Sequence, residues 1–292
     1  MAGHGTTSRK QKGMEIDPVA ARDFAQSKDG LKIRYEIRGN GAPIALIMGF
    51  SGSGRAWSER FLKLLDGRFK LITIDNRGTG ESDKPDRAWT LRDMADDVAA
   101  VLDHAGLQRT HVFGISMGGM IAQEYALAYP ARVQGLILGC TNCGMAHSVP
   151  GNPEVVAKLM PQPGMSPAEA ARAAFSVACG KAFWNSDAGQ KFIDEQMADA
   201  AQYPVTPQHT FTRQFGAISG FDSFPRLGEI KAPTLIIHGD DDALIPFKNA
   251  DVLNQAIASS RKHILKGIGH MFFWEAPDET AKVAGDFLAA VK

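Results

Sequence analysis

The chain is poor in cysteine: Cys140, Cys143 and Cys179 are the only three in 292 residues. So few, and an odd number, exclude a disulfide-stapled secreted scaffold and suit a reducing compartment. Cys140 and Cys143 form a C-x-x-C, but no further ligand residues or βαβ start lie beside them, so they read as two small residues at a strand end. Long apolar runs are missing too. Nothing approaches the roughly 18 consecutive apolar residues of a membrane-spanning helix. There is no charge bias: Lys plus Arg and Asp plus Glu each total 32. A balanced chain exerts no general pull on nucleic acid or anionic membrane. Residues 1–12 lack the apolar stretch of a signal peptide, so residues 1–22 are expected to be a flexible tail and the location cytoplasmic.

What is present is ordinary globular material, 44% hydrophobic and 22% charged, enough to bury a full core. Short β-rich runs alternate with helical runs, the pattern of a mostly parallel sheet flanked by helices on both faces. The opening looks antiparallel, with strands at 23–26 and 31–38 and Gly30 in the turn. Apolar strands are expected at 43–48, 69–75, 111–115, 133–140, 234–238 and 262–265, which makes eight in all. Helices are expected at 90–105, 116–129 and 277–291. Residues 144–224 break the rhythm: roughly 80 residues without a strand signal is too long for a loop. Helical patterns at 167–183, 187–202 and 208–219 make this stretch an inserted helical cap. The core domain is then 23–143 together with 225–292.

Gly114-Ile115-Ser116-Met117-Gly118 fits G-x-S-x-G between a strand and a helix. The spacing suits a sharp bend that presents the serine hydroxyl, where side chains two residues either side would strike neighbouring backbone. The following helix aims its first N–H groups at the serine and favours negative charge there. A serine hydroxyl needs a base. Of the eight histidines, His270 ends a glycine-rich turn, Gly267-Ile268-Gly269-His270, directly after the last strand, on the edge where ligands meet open α/β sheets. His147 and His209 belong to the cap, and His238 reads as a structural hydrogen-bonder. The acid that would orient the imidazole lies among Asp240, Asp241 and Asp242, which spacing does not separate.

With these elements placed, the chain resembles the α/β-hydrolase superfamily, and within it the small capped bacterial esterases, lactonases and carbon–carbon hydrolases. The resemblance rests on residues 46–50, on Asp75-Asn76-Arg77-Gly78-Thr79-Gly80-Glu81-Ser82, on 114–119, and on 239–246 with 267–270. Its acid register, a glycine, two residues, the aspartate, three residues and a proline, matches Gly239, Asp242 and Pro246 and so selects Asp242. It also implies an oxyanion hole from the backbone N–H groups of Phe50 and Met117. Where many relatives have His-Gly, this chain has Met48-Gly49, which removes a side chain that helps hold that loop. The Asp75–Ser82 stretch is a structural landmark in which Arg77 ties loops together through ion pairs. The Ser51-Gly52-Ser53-Gly54 segment lacks the spacing of a nucleotide-binding loop.

The resulting expectation is a serine hydrolase that cleaves a small to medium hydrophobic carboxylic ester or lactone through an acyl-enzyme, with no metal or organic cofactor. Its substrate site would draw on Phe50, Met145, Phe175, Trp184, Phe215, Met271 and Phe272. The expected partner is that small molecule, not nucleic acid or membrane, and a homodimer is left open. Carbon–carbon hydrolysis, cofactor-free perhydrolysis or lyase chemistry, and slow-turnover ligand reception would use the same three residues. Dehalogenase and epoxide hydrolase chemistry would need an aspartate in place of Ser116.

Overall fold

A computed structural model describes residues 21–291. Eight strands form one sheet in the order β1-β2-β4-β3-β5-β6-β7-β8. They are β1 (Ala21–Gln26), β2 (Lys32–Arg38), β3 (Ala42–Ile47), β4 (Phe69–Ile74), β5 (Thr110–Ile115), β6 (Val133–Gly139), β7 (Thr234–Gly239) and β8 (Ser260–Leu265). The β1–β2 and β2–β4 pairings are antiparallel and the other five are parallel. Gly30 takes φ 86° in the first turn, the left-handed conformation expected of it. The expected tail lies outside the described residues over 1–20, but Ala21 and Arg22 pair with Ile37 and Glu36, so the first strand begins two residues earlier than its sequence pattern suggests.

Helices α1 (Glu59–Asp66), α2 (Leu91–His104) and α3 (Met117–Ala128) follow β3, β4 and β5. Between β6 and β7 lie α4 (Pro153–Ala157), α5 (Pro167–Ala178), α6 (Lys181–Trp184), α7 (Asp187–Ala200) and α8 (Gln208–Ser219). An isolated bridge between Gly144 and Asp222 closes the base of this segment. Then come α9 (Asn249–Ala256), α10 (Phe272–Glu275) and α11 (Pro277–Ala290). The single helix expected over 167–183 is two. Cys179 and Gly180 are extended, at ψ 147° and 149°, because their backbone is needed by the loops beneath. Among the described residues no helix is long and apolar enough to cross a membrane.

Alternate residues along each buried strand feed opposite faces of the sheet. Ile44 and Leu46 of β3 join one core layer, with Phe61 and Leu65 of α1 and Phe287 of α11. Ala45 and Ile47 join the other, with Val98 and Leu102 of α2 and Ile121 and Tyr125 of α3. The inner parallel strands are therefore covered on both faces, while β8 at the edge stays partly exposed, and the loops of the site leave the C-terminal ends of these strands.

The loop after β4 is fixed by buried charge. Asp75 accepts the N–H groups of Gly54 (2.8 Å) and Glu81 (2.9 Å) and lies 3.7 Å from the fully buried Arg34. Arg77 meets Asp97 of α2 through two hydrogen bonds of 2.6 and 2.7 Å and reaches Asp29 at 3.1 Å. It is a loop tie, as its position in the sequence implies. Replacing Asp97 leaves much of the Arg77 charge buried and uncompensated. Asp97→Ala should therefore lower the unfolding free energy by about 3 kcal/mol, as measured by urea denaturation; a loss no larger than that of an exposed ion pair would contradict this assignment.

Candidate active site

Ser116 stands between β5 and α3 at φ 55° and ψ −124°, a strained conformation that a non-glycine residue keeps only when its surroundings hold it. The surroundings here are bare backbone. A Cβ on Gly114 would sit 2.1 Å from the Gly118 carbonyl oxygen, and one on Gly118 would sit 2.1 Å from that of Ile47. Both positions must be glycine for the chain to bend this tightly. The Ser116 N–H donates to Gly139 O (2.8 Å) and its carbonyl accepts from the Thr141 hydroxyl (2.7 Å). The residue is half-buried, and among the described residues its hydroxyl forms no hydrogen bond.

The three aspartates after β7 perform three different tasks. Asp240 accepts the Gly267 N–H (2.6 Å) and braces the turn leading to His270. Asp241 accepts the Lys181 N–H (2.7 Å). Asp242 lies 2.7 Å from His270 Nδ1 and accepts the N–H groups of Leu244 and Ile245, both at 2.9 Å, on its other oxygen. Burial alone would raise its pKa, but the adjacent His270 with its hydrogen bond, together with the nearby His238, pulls it well below the usual carboxylate range. An ionised Asp242 requires Nδ1 of His270 to carry the proton, which leaves Nε2 with a free lone pair.

His238 reads in the sequence as a structural hydrogen-bonder. That bond is there: Nε2 donates to Ile245 O at 2.8 Å, and the same nitrogen is 3.2 Å from Asp242 Oδ2. Cys140 also abuts Asp242, whose charge, together with complete burial, pushes its thiol well up. Cys140, His238 and Asp242 are the one set of metal-ligand type among the described residues, and they are already engaged with one another and with His270. All three cysteines are free.

The loops meet over Gly139. A Cβ there would lie 2.6 Å from the Phe272 ring and 2.8 Å from the Ile115 side chain, so the flanks of Ser116 and His270 converge on one β6 residue. Gly49 approaches from the opposite side; a Cβ on it would come within 3.5 Å of Ser116 Oγ. Met48 O accepts from Asn76 Nδ2 (2.8 Å) and Ser51 N–H donates to Gln214 Oε1 (2.7 Å). Neither the Phe50 nor the Met117 N–H is donated to any described residue.

The remaining expected substrate residues are dispersed. Phe50 is half-buried and packs edge-on against Phe211 of α8, with centroids 5.7 Å apart. Phe272 is fully buried, stacked on Phe113 in the core, and Met271 is buried beside it. Phe175 packs against Trp274, and the Arg172 guanidinium lies over Trp184. Met145 and Phe215 are exposed. His147 stacks on Phe224, and His209 bonds Lys84 O.

Glu275 went unnoticed in the sequence because it ends the apolar run 271–274. Its Oε2 accepts the N–H groups of Gly269 (3.0 Å) and Gly180 (3.1 Å), while Oε1 is buried without a partner. Next to it, the N–H groups of His270 and Met271 donate to Ala178 O at 2.8 and 3.2 Å. The α5–α6 break is thus clasped to the loop that carries His270.

A family model for the alpha/beta hydrolase fold matches residues 42–277. A protein of Variovorax paradoxus named for carbamate hydrolysis, RutD, is 30% identical over 256 residues, which cover 82% of this chain and 90% of that one. The 2-hydroxy-6-oxo-6-phenylhexa-2,4-dienoate hydrolase of Comamonas testosteroni is 29% identical over 272 residues, covering 88% of this chain and 91% of that one. Among solved structures, esterase RhEst1 of Rhodococcus sp. ECU1013 superimposes with a TM-score of 0.79 at 26% identity, covering 93% of this chain and 99% of that one.

Burial, opposed by two backbone hydrogen bonds and reinforced by the nearby charges of Asp242 and Asp241, raises Glu275 from 4.5 to about 7. A carboxyl raised on folding contributes stability that is fully present below pH 4.5 and is lost as pH rises through about 7. Glu275→Gln cannot ionise. The Tm difference, variant minus wild type, should therefore grow more positive across that window in calorimetry; a difference that does not vary with pH would refute the shift.

Proposed function

The chain belongs to the α/β-hydrolase family, and from that premise we propose that it is a serine hydrolase acting on small to medium hydrophobic carboxylic esters or lactones through an acyl-enzyme. The observation that carries the proposal is the placement, on one sheet edge, of a strained, half-exposed Ser116 and the Asp242–His270 pair held at 2.7 Å.

In this reading His270 Nε2 removes the Ser116 proton as Oγ attacks the carbonyl carbon. The free N–H groups of Phe50 and Met117 receive the developing oxyanion, an interaction of about 3 kcal/mol per donor in comparable sites. The protonated imidazole, its Nδ1–H held by the ionised Asp242, passes its proton to the leaving alcohol. Water then repeats the sequence on the acyl group and returns the serine. The segment from α4 to α8 serves as the cap, and the Phe50–Phe211 pair offers apolar surface beside the oxyanion loop. Three reduced thiols suit a cytoplasmic setting.

The carbon–carbon hydrolase of Comamonas testosteroni favours a second reading, in which the same serine and histidine cleave a vinylogous diketone. A panel of p-nitrophenyl acetate, p-nitrophenyl butyrate, medium-chain lactones and a vinylogous diketone ranks the two by kcat/KM. Ser116→Ala should lower turnover roughly a million-fold with the fold intact by circular dichroism. Asp242→Asn should cost roughly ten-thousand-fold, whereas Asp241→Asn, whose side chain can still accept the Lys181 N–H, should change little. If the Asp241 variant proves the crippled one, the assignment of the acid fails.

A further inference from the structure

The oxyanion loop of this chain is held by a residue from the far side of the sequence. Ser51 follows Phe50 directly and takes φ 57°, one of three non-glycine residues in the left-handed region among those described. A β-carbon disfavours that conformation, so it persists only where neighbours impose it. The imposing contact is the hydrogen bond from Ser51 N–H to Gln214 Oε1, 2.7 Å long, from a side chain that is fully buried in α8.

The orientation of that amide follows from its partners. Its oxygen faces a donor, and its nitrogen faces the Arg77 carbonyl at 3.4 Å, so only one of the two flips satisfies both ends. The far end is firm, because Arg77 is locked by Asp97 and Asp29. The rest of α8 seats against the same loops. The Thr210 hydroxyl donates to Gly78 O at 3.1 Å, and the Phe211 ring meets that of Phe50. Just before α8, Thr206 donates to Ser51 O at 3.3 Å. Met48, two residues before Phe50, has no side-chain donor with which to brace the loop.

We propose that Gln214 is a positioning residue of the reaction: by fixing the Ser51 peptide it aims the Phe50 N–H at the oxyanion, so that α8 belongs to the catalytic frame as well as covering the site. This rests on the serine-hydrolase reading for its chemistry, but not for its structural core, the Gln214–Ser51 bond.

The test compares wild type, Ser116→Ala, Gln214→Met and Gln214→Glu. Methionine preserves length and volume but removes the acceptor; glutamate restores it. With p-nitrophenyl butyrate, Gln214→Met should lower kcat roughly ten- to a hundred-fold with little change in KM. It should weaken binding of a trifluoromethyl ketone in parallel. Gln214→Glu should recover most of both below neutrality, where its carboxyl can be protonated and reproduce both bonds. Amide exchange should quicken at residues 50–52 in the methionine variant alone. Unchanged exchange there, or a kcat equal to wild type in an enzyme that Ser116→Ala silences, overturns the role of Gln214. Equal ester turnover by wild type and Ser116→Ala instead refutes the serine-hydrolase reading, and exchange at Ser51 still decides whether Gln214 holds the loop.

Discussion

The bend at Ser116 is the constraint from which the rest of the site follows. A strand must turn into a helix within a few residues, with the turn pressed against Ile47 and Gly118 so closely that no side chain fits at positions 114 and 118. The bend lifts one hydroxyl clear of the sheet and turns the first N–H groups of α3 toward it. The neighbouring loops have one edge on which to gather. Gly49 closes in from β3, Thr141 from β6, and Phe272 from beyond β8, each in contact with the bend or with the strand residue beneath it.

Around this bend, carboxylates tie the loops together. Asp75 folds the loop after β4, Asp240 braces the turn before His270, Asp241 holds Lys181, and Asp242 orients the imidazole. Each accepts backbone N–H groups or pairs with a cation. Glu275 likewise accepts two backbone N–H groups on one oxygen, but its other oxygen is buried without a partner, and burial drives its carboxyl up to about 7. A carboxylate can reach across two loops because its acceptor oxygens tolerate several donors. The cost is a dependence of stability on pH.

The parts of the site that could be read in advance were those with local causes. A glycine two residues either side of a serine reports a steric fact about one turn, and a glycine-rich run before His270 reports another. The hairpin at Gly30 and the strand runs were visible for the same reason, since their periodicity is set by neighbours in the chain. Spacing alone does not separate three adjacent aspartates, because adjacent side chains on a loop point in directions that only the surrounding backbone settles; the register of glycine and proline around them singled out Asp242 only through the family resemblance, and Asp242 is the one that meets His270. The helix expected over 167–183 reads as continuous because its composition is helical throughout. The break at Cys179 and Gly180 is imposed by His270, Met271 and Glu275, almost a hundred residues later in the chain.

The succession of eight strand runs, the serine at its bend and the histidine after the last strand were legible in the sequence alone, since each depends on residues a few positions apart; the helices at Glu59–Asp66 and Asn249–Ala256 were not. The tertiary structure decided the separate tasks of Asp240 and Asp241, that Gln214 grips Ser51 across 163 positions, and that Glu275 joins two loops. Those contacts form between side chains brought together by the sheet, and a hydrogen bond has no signature in a sequence until its donor and acceptor share one place in space.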